Sequence, residues 1–269
     1  MTFIIGVVVC SQRKIMSSSI QLRQNTNQHT IKNRISTGRE KTLALSVRNT
    51  VVKIAKKYPN QRFKLILNSG ANAFSYPRLP NLELVFDKLS NEDLIRKFRE
   101  LYPELKENFS SEIEEGYINP DGSILLCFLA NDWRVVMISE HKHQGTNDQR
   151  ELEGKPRQAL GNAIERLGKN LSYARSFMSD EDITPYVAFG DGCDFEKGKQ
   201  SVRGRLFAMN DGGGLNQIYV NIWKANNGRI FRPISMFFRK RMWSEPEMSE
   251  MLFEVANQSL SYYSQKYVA

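Results

Sequence analysis

"SILLCFLANDWRVVMISEHKHQG", residues 123–145, places two apolar runs on either side of a short polar break and then ends in Glu140, His141, Lys142 and His143. Asn131-Asp132 between the runs at 123–130 and 133–139 is a short-turn signal, so the spacing predicts an antiparallel hairpin. Side chains alternate along a strand, which puts Glu140 and Lys142 on one face and His141 and His143 on the other. Burying either charge alone is costly. The pair is therefore either a self-neutralising salt bridge or the rim of a working site, and the two histidines read as packing or hydrogen-bonding residues.

The hairpin brings in a third group. Asp121 lies ten residues before Asn131 and Glu140 nine after it, so antiparallel pairing returns the two carboxylates to one end. Asp121 sits in "NPDG", where proline and glycine keep the backbone irregular and the side chain open. Two converging carboxylates make a hard-oxygen site of the kind that holds magnesium with water and phosphate oxygens. A lysine beside them can orient or deprotonate a water and stabilise developing phosphate charge. Metal, water and ammonium together suit phosphodiester hydrolysis. The same pattern also occurs as a surface ion pair on unrelated hairpins.

Composition narrows the partners. The chain has 269 residues, 41% hydrophobic and 25% charged, as in an ordinary soluble globule with length for a real core. Thirty-eight Lys and Arg against 29 Asp and Glu leave +9, which favours a polyanionic partner such as nucleic acid. The 3 cysteines are far apart and form no CxxC, which suggests neither a disulfide framework nor a zinc site and fits a reducing cytoplasm. No apolar run approaches the roughly 18 residues of a membrane span. The start, "MTFIIGVVVC", reads as a short strand or an overextended start with Met16 as initiator, not as a signal peptide.

Residues 1–37 are expected to be a flexible basic arm, either wrapping nucleic acid or a plain tail, ahead of a single catalytic and DNA-recognition domain at 38–269. Helical spacing covers 39–57, with a further helix after Ser90. Strands are expected at "PYVAFGD" (185–191) and "QIYVNIW" (217–223), and an amphipathic helix at 245–267. A helix over 157–178 carries Leu160, Ile164, Leu167, Leu171, Ala174 and Met178 as one apolar stripe. Asn162, Glu165, Arg166 and Lys169 fall on the opposite face, which is either solvated or aimed at a DNA groove, where asparagine and arginine read base edges. Gly161 and Ala163 are small enough for close approach. The mixed order of elements indicates an α/β fold.

"INPDG", "WRVVMISEHKHQG", "GNAIER" and "TPYVAF" follow one another in the order and approximate spacing of the EcoRI family of type II restriction endonucleases, within the PD-(D/E)xK nuclease superfamily. The chain resembles that family well over 95–195 and more loosely to its C-terminus. The resemblance implies a restriction-endonuclease-like α/β fold with a central mixed five-stranded sheet flanked by helices. It implies a homodimer that uses Mg2+ to cut double-stranded DNA at a palindrome with an AATT core. It further implies a prokaryotic cytoplasmic enzyme paired with a cognate DNA methyltransferase. Asp121, Glu140 and Lys142 match the family's catalytic acid, acid and lysine, with Asp121 and Glu140 as metal ligands. Asn162, Ala163, Glu165 and Arg166 match the recognition helix, and Gln144, Lys155, Gln158, Ala159 and Gly161 match further positions near the DNA. "RGRLFAMNDGGG" (203–214) looks like the later recognition segment, with Arg203 and Arg205 as base-contacting candidates.

Departures bear on the outer base pair. Gln158 stands where the family has methionine, Val202 occupies one expected arginine position, and the loop before the helix is shorter. GAATTC is favoured, with CAATTG, RAATTY and bare AATT open. A structure-specific repair or recombination nuclease and a non-catalytic DNA-binding protein are the rival readings.

Overall fold

The computed structural model describes residues 38–67, 75–86, 120–145, 147–156, 163–179, 181–196 and 200–268. The arm at 1–37, the helix after Ser90, and Gln158, Ala159, Gly161 and Asn162 lie outside them. In chain order, α1 (38–57) leads to β1 (Arg62–Leu67), β2 (Leu82–Phe86) and the hairpin of β3 (Ser123–Leu129) and β4 (Asp132–His143). There follow α2 (Asp148–Leu152), α3 (Ala163–Phe177), β5 (Tyr186–Asp191), α4 (Cys193–Glu196) and α5 (Gln200–Met209). A small pair, β6 (Trp223–Lys224) and β7 (Ile230–Phe231), precedes β8 (Ser235–Arg239) and the long closing helix α6 (Glu245–Val268).

The α/β class expected from the sequence is present, with six strands among the described residues in place of five, in the order β2-β1-β3-β4-β5-β8. The hairpin and its β1 neighbour pair antiparallel, whereas β2, β5 and β8 join in parallel. Parallel neighbours need long crossovers and leave no tight-turn signature, which is why β2 and β8 escape a local reading. Segment 217–223 is not the continuous strand expected: only Trp223 enters one, at the start of β6, and Asn221 makes an isolated bridge to Ile183. Its partners are the 182–184 loop, through the Thr184–Val220 and Ile222–Asp182 backbone bonds at 2.7 and 3.1 Å, and Ser235, whose hydroxyl bonds Tyr219.

The hairpin differs from its expected form in two places. Leu129 pairs with Asp132, so the loop is Ala130-Asn131, one residue earlier than Asn131-Asp132. Both residues have positive φ, 51° and 65°, the geometry of a two-residue turn whose twist matches the strands. The second difference is a bulge. Leu126 pairs with Val135 but Leu125 with Met137, leaving Val136 extra. Val136 and Met137 thus share one core layer while Val135 and Ile138 share the other. Beyond the bulge the alternation is reversed, and this decides which layer Glu140 and Lys142 face.

One layer packs α1 and α6 on the sheet through Leu43, Val47, Val51, Leu252 and Val255. The other packs α3 and α5 through Ile164, Leu167, Leu171, Ala174, Met178, Val202 and Leu206, which include the predicted stripe except Leu160, outside the described residues. Full burial of a leucine such as Leu167 or Leu171 contributes about 1.5–3 kcal/mol. That anchoring fixes α3 against the face of β4 that carries Glu140.

Candidate active site

Lys142 sits between two carboxylates. Its Nζ donates to Asp121 Oδ2 at 2.9 Å and also bonds Glu140 Oε1. The three side chains are graded in exposure, at 38% for Asp121, 14% for Lys142 and 0% for Glu140. The site therefore runs from buried Glu140 at its floor to exposed Asp121 at its outer edge. The bulge sets this geometry. Ser123 pairs with Ser139, and Gly122 donates its N–H to the Ser139 carbonyl at 3.1 Å. Asp121 is thereby carried one residue past the level of Glu140, toward Lys142.

Two further residues hold the floor. Asn170 of α3 donates through Nδ2 to Glu140 Oε1 at 2.8 Å, and the Tyr186 hydroxyl of β5 donates to Oε2 at 3.1 Å. Burial pushes the Glu140 carboxyl up to about 7; the charge of Asp121 adds to the rise, and Lys142 and Asn170 offset part of it. Burial pulls the Lys142 ammonium down, but Glu140 and Asp121 outweigh it and the net direction is up. Tyr186, wholly buried beside Glu140, is held well above the usual phenol value and stays a neutral donor.

Sequence reasoning did not single out Asn170 or Tyr186. Their signals were faint: an amide on the polar face of a helix, and one hydroxyl in an apolar strand. A buried tyrosine hydroxyl needs a partner, and here that partner is the Glu140 carboxylate.

The far face of the strand end is tied down separately. His141 Nε2 lies 2.8 Å from Asp191 Oδ2, and His143 Nδ1 lies 2.7 Å from Oδ1. One buried carboxylate on β5 thus holds both imidazoles, in keeping with their expected hydrogen-bonding role. Gly192 closes the corner at φ 131°, where an added Cβ would lie 2.2 Å from the Gln144 carbonyl oxygen.

The remaining candidates are spread around this centre. Gln144 is buried under the rim, its N–H donating to the Asp191 carbonyl at 2.9 Å. Lys155 is exposed and pairs with Glu153 at 2.5 Å. Ala163 opens α3, with Glu165 and Arg166 exposed on the same first turn. Arg203 and Arg205 are exposed on α5, and Val202 is buried beneath them.

A mixed sheet flanked by helices, with an acid before one strand and Glu-x-Lys at the end of the next, defines the restriction-endonuclease-like nucleases as a class. Residues 75–269 match the family model described as "Restriction endonuclease EcoRI". The type II restriction enzyme RsrI of Cereibacter sphaeroides is 30% identical over 213 residues, 67% of this chain and 76% of that enzyme. The type II restriction enzyme EcoRI of Escherichia coli is 27% identical over 181 residues, 55% of this chain and 65% of that enzyme. The chain belongs to the EcoRI family of restriction endonucleases, and is a type II site-specific deoxyribonuclease.

Proposed function

We propose that this enzyme is homodimeric and uses Mg2+ to cut both strands of a palindrome with an AATT core, GAATTC being favoured. The observation that carries this reading is the single ammonium of Lys142 bridging Asp121 and Glu140. The donor set fits Mg2+. Among the described residues no group of three or more histidine, cysteine or acidic side chains is placed to hold a metal ion. Two carboxylates, completed by water and phosphate oxygens, match the way this ion is held. A buried Glu140 whose carboxyl is pushed up to about 7, even with one ammonium beside it, is a group that gains from a second cation.

Asp121 and Glu140 would hold the ion, which when bound polarises the phosphoryl oxygen and activates a water. Tyr186 and Asn170 fix the Glu140 carboxylate by donating to opposite oxygens. Lys142, kept as an ammonium by its two carboxylates, supplies positive charge and a donor where negative charge develops on the phosphate. Arg166 and Glu165 on the exposed face of α3 suit base-edge contact, with Asn162 as the adenine reader. A two-fold dimer would present this helix to both half-sites. Protection of host DNA then calls for a cognate adenine methyltransferase.

The test is digestion of DNA of known sequence with sequencing of the cut ends. The expected result is discrete fragments ending at one AATT-centred palindrome with Mg2+, and none in EDTA. A smear, or ends bearing no common sequence, would refute the site-specific reading.

A further inference from the structure

"FRKR", residues 238–241, is a basic motif that the catalytic centre does not use. The sheet delivers it to the same rim. Across the parallel strands His143 aligns with Asp191, and Asp191 with Arg239. At roughly 4.8 Å per strand, Arg239 stands about 10 Å along the rim from His143. The chain next crosses the carboxyl end of β5, where Gly192 donates its N–H to the Arg239 and Lys240 carbonyls, each at 3.2 Å. Buried Trp243 anchors the return by donating its indole N–H to the Gly190 carbonyl at 2.9 Å.

The backbone is thus pinned while two of its cations project, Lys240 with 45% and Arg241 with 74% of the side chain exposed. Arg239 is used internally, its guanidinium 3.6 Å above the Trp243 ring and bonded to Glu247 at 2.7 Å. Arg241 shares that same carboxylate, and Lys240 meets Glu151 only at 3.8 Å. Lys240 and Arg241 thus turn exposed positive charge outward from the rim. Exposed pairs of this kind are weak, so exchange of the carboxylates for phosphates costs little.

We infer that Lys240 and Arg241 form a phosphate-contacting rail that grips the DNA backbone beyond the cleaved bond. One DNA strand carries a charge every 3.4 Å along its axis, so the roughly 10 Å between the ends of β4 and β8 corresponds to about three phosphates. The rail carries no sequence information; it sets affinity and register. It rests on the proposed reading of this rim as the DNA-cleaving edge.

The experiment is equilibrium binding in EDTA to a duplex with the cleaved sequence and to a scrambled duplex, over about 50–200 mM salt. For Lys240→Ala/Arg241→Ala the slope of log affinity against log salt should fall by about 2, at roughly 0.9 per lost phosphate contact. Affinity should drop roughly tenfold on both duplexes alike, and the charge-preserving Lys240→Arg/Arg241→Lys should keep the parent slope. If the double variant misfolds, single Arg241→Ala gives the same reading with a slope change of about 1. An unchanged slope in a variant that melts like the parent overturns the rail alone. Failure of the parent to bind either duplex removes both this inference and the restriction reading.

Discussion

At Glu140 the proposed role in catalysis works against stability. Its carboxyl is fully buried and pushed up to about 7, whereas in the unfolded chain it titrates near 4.3. Between those values the folded state binds the extra proton, so this residue's contribution to stability declines as pH rises through the window and stays low above about 7. Glu140→Gln keeps the shape and removes the charge. Its melting temperature should exceed the parent's at pH 8, and the gap should close by pH 5. Thermal unfolding at the two pH values checks this, and equal melting at pH 8 would contradict burial as the dominant cause. The triad of Asp121, Glu140 and Lys142 was legible because all three residues flank one local hairpin. Asn170 and Tyr186 were not, since they reach Glu140 from 30 and 46 residues away, and no local pattern encodes a meeting of that kind.

Elements with strong local patterns were readable from them, α1, α3 and α6 from helical spacing and β5 from its apolar run. What the sequence hid was detail inside them. The bulge at Val136 leaves no mark in an apolar run, yet it chooses the layer that receives Glu140. Likewise Asn131 marked the turn, but its companion is Ala130, at φ 51°. A Cβ is disfavoured there, so Ala130→Gly should raise stability by about 0.5–1 kcal/mol. That would appear as a higher denaturant midpoint at unchanged slope; a lower midpoint would contradict the assigned turn. At the start of α6, Glu247 reaches back to Ser244, whose N–H and hydroxyl both donate to Glu247 Oε2, at 3.0 and 2.7 Å. Hydrogen bonds from Arg239, then Ser244, hold the Glu247 carboxyl well below the usual carboxylate range. Its contribution is therefore present above the unfolded value near 4.3 and lost as pH falls toward the depressed folded one. Glu247→Gln should cost about 1–2 kcal/mol at pH 7 and progressively less below pH 4 by urea titration. A cost independent of pH would show that its charge plays no part.

Across the whole molecule, the parallel run β4-β5-β8 directs three strand ends to one rim. Lys142, the histidine–Asp191 anchor and the basic 239–241 segment all stand there, and α3 lies beneath with Asn170 on Glu140. That topology was the least legible feature, because β2 and β8 enter through distant parallel pairing, and the parallel strand ends are what gather the chemistry. The central claim is that Asp121 and Glu140 share a divalent cation beside Lys142. It is tested most directly by single-turnover cleavage across a Mg2+ titration, with DNA binding measured in parallel, for the parent, Asp121→Asn, Glu140→Gln and Lys142→Ala. The account predicts intact binding in all four, a cleavage loss of roughly a hundredfold or more in each variant, and a shifted Mg2+ requirement in the two acid variants. Cleavage within a few-fold of the parent at the same Mg2+ in either acid variant would contradict it.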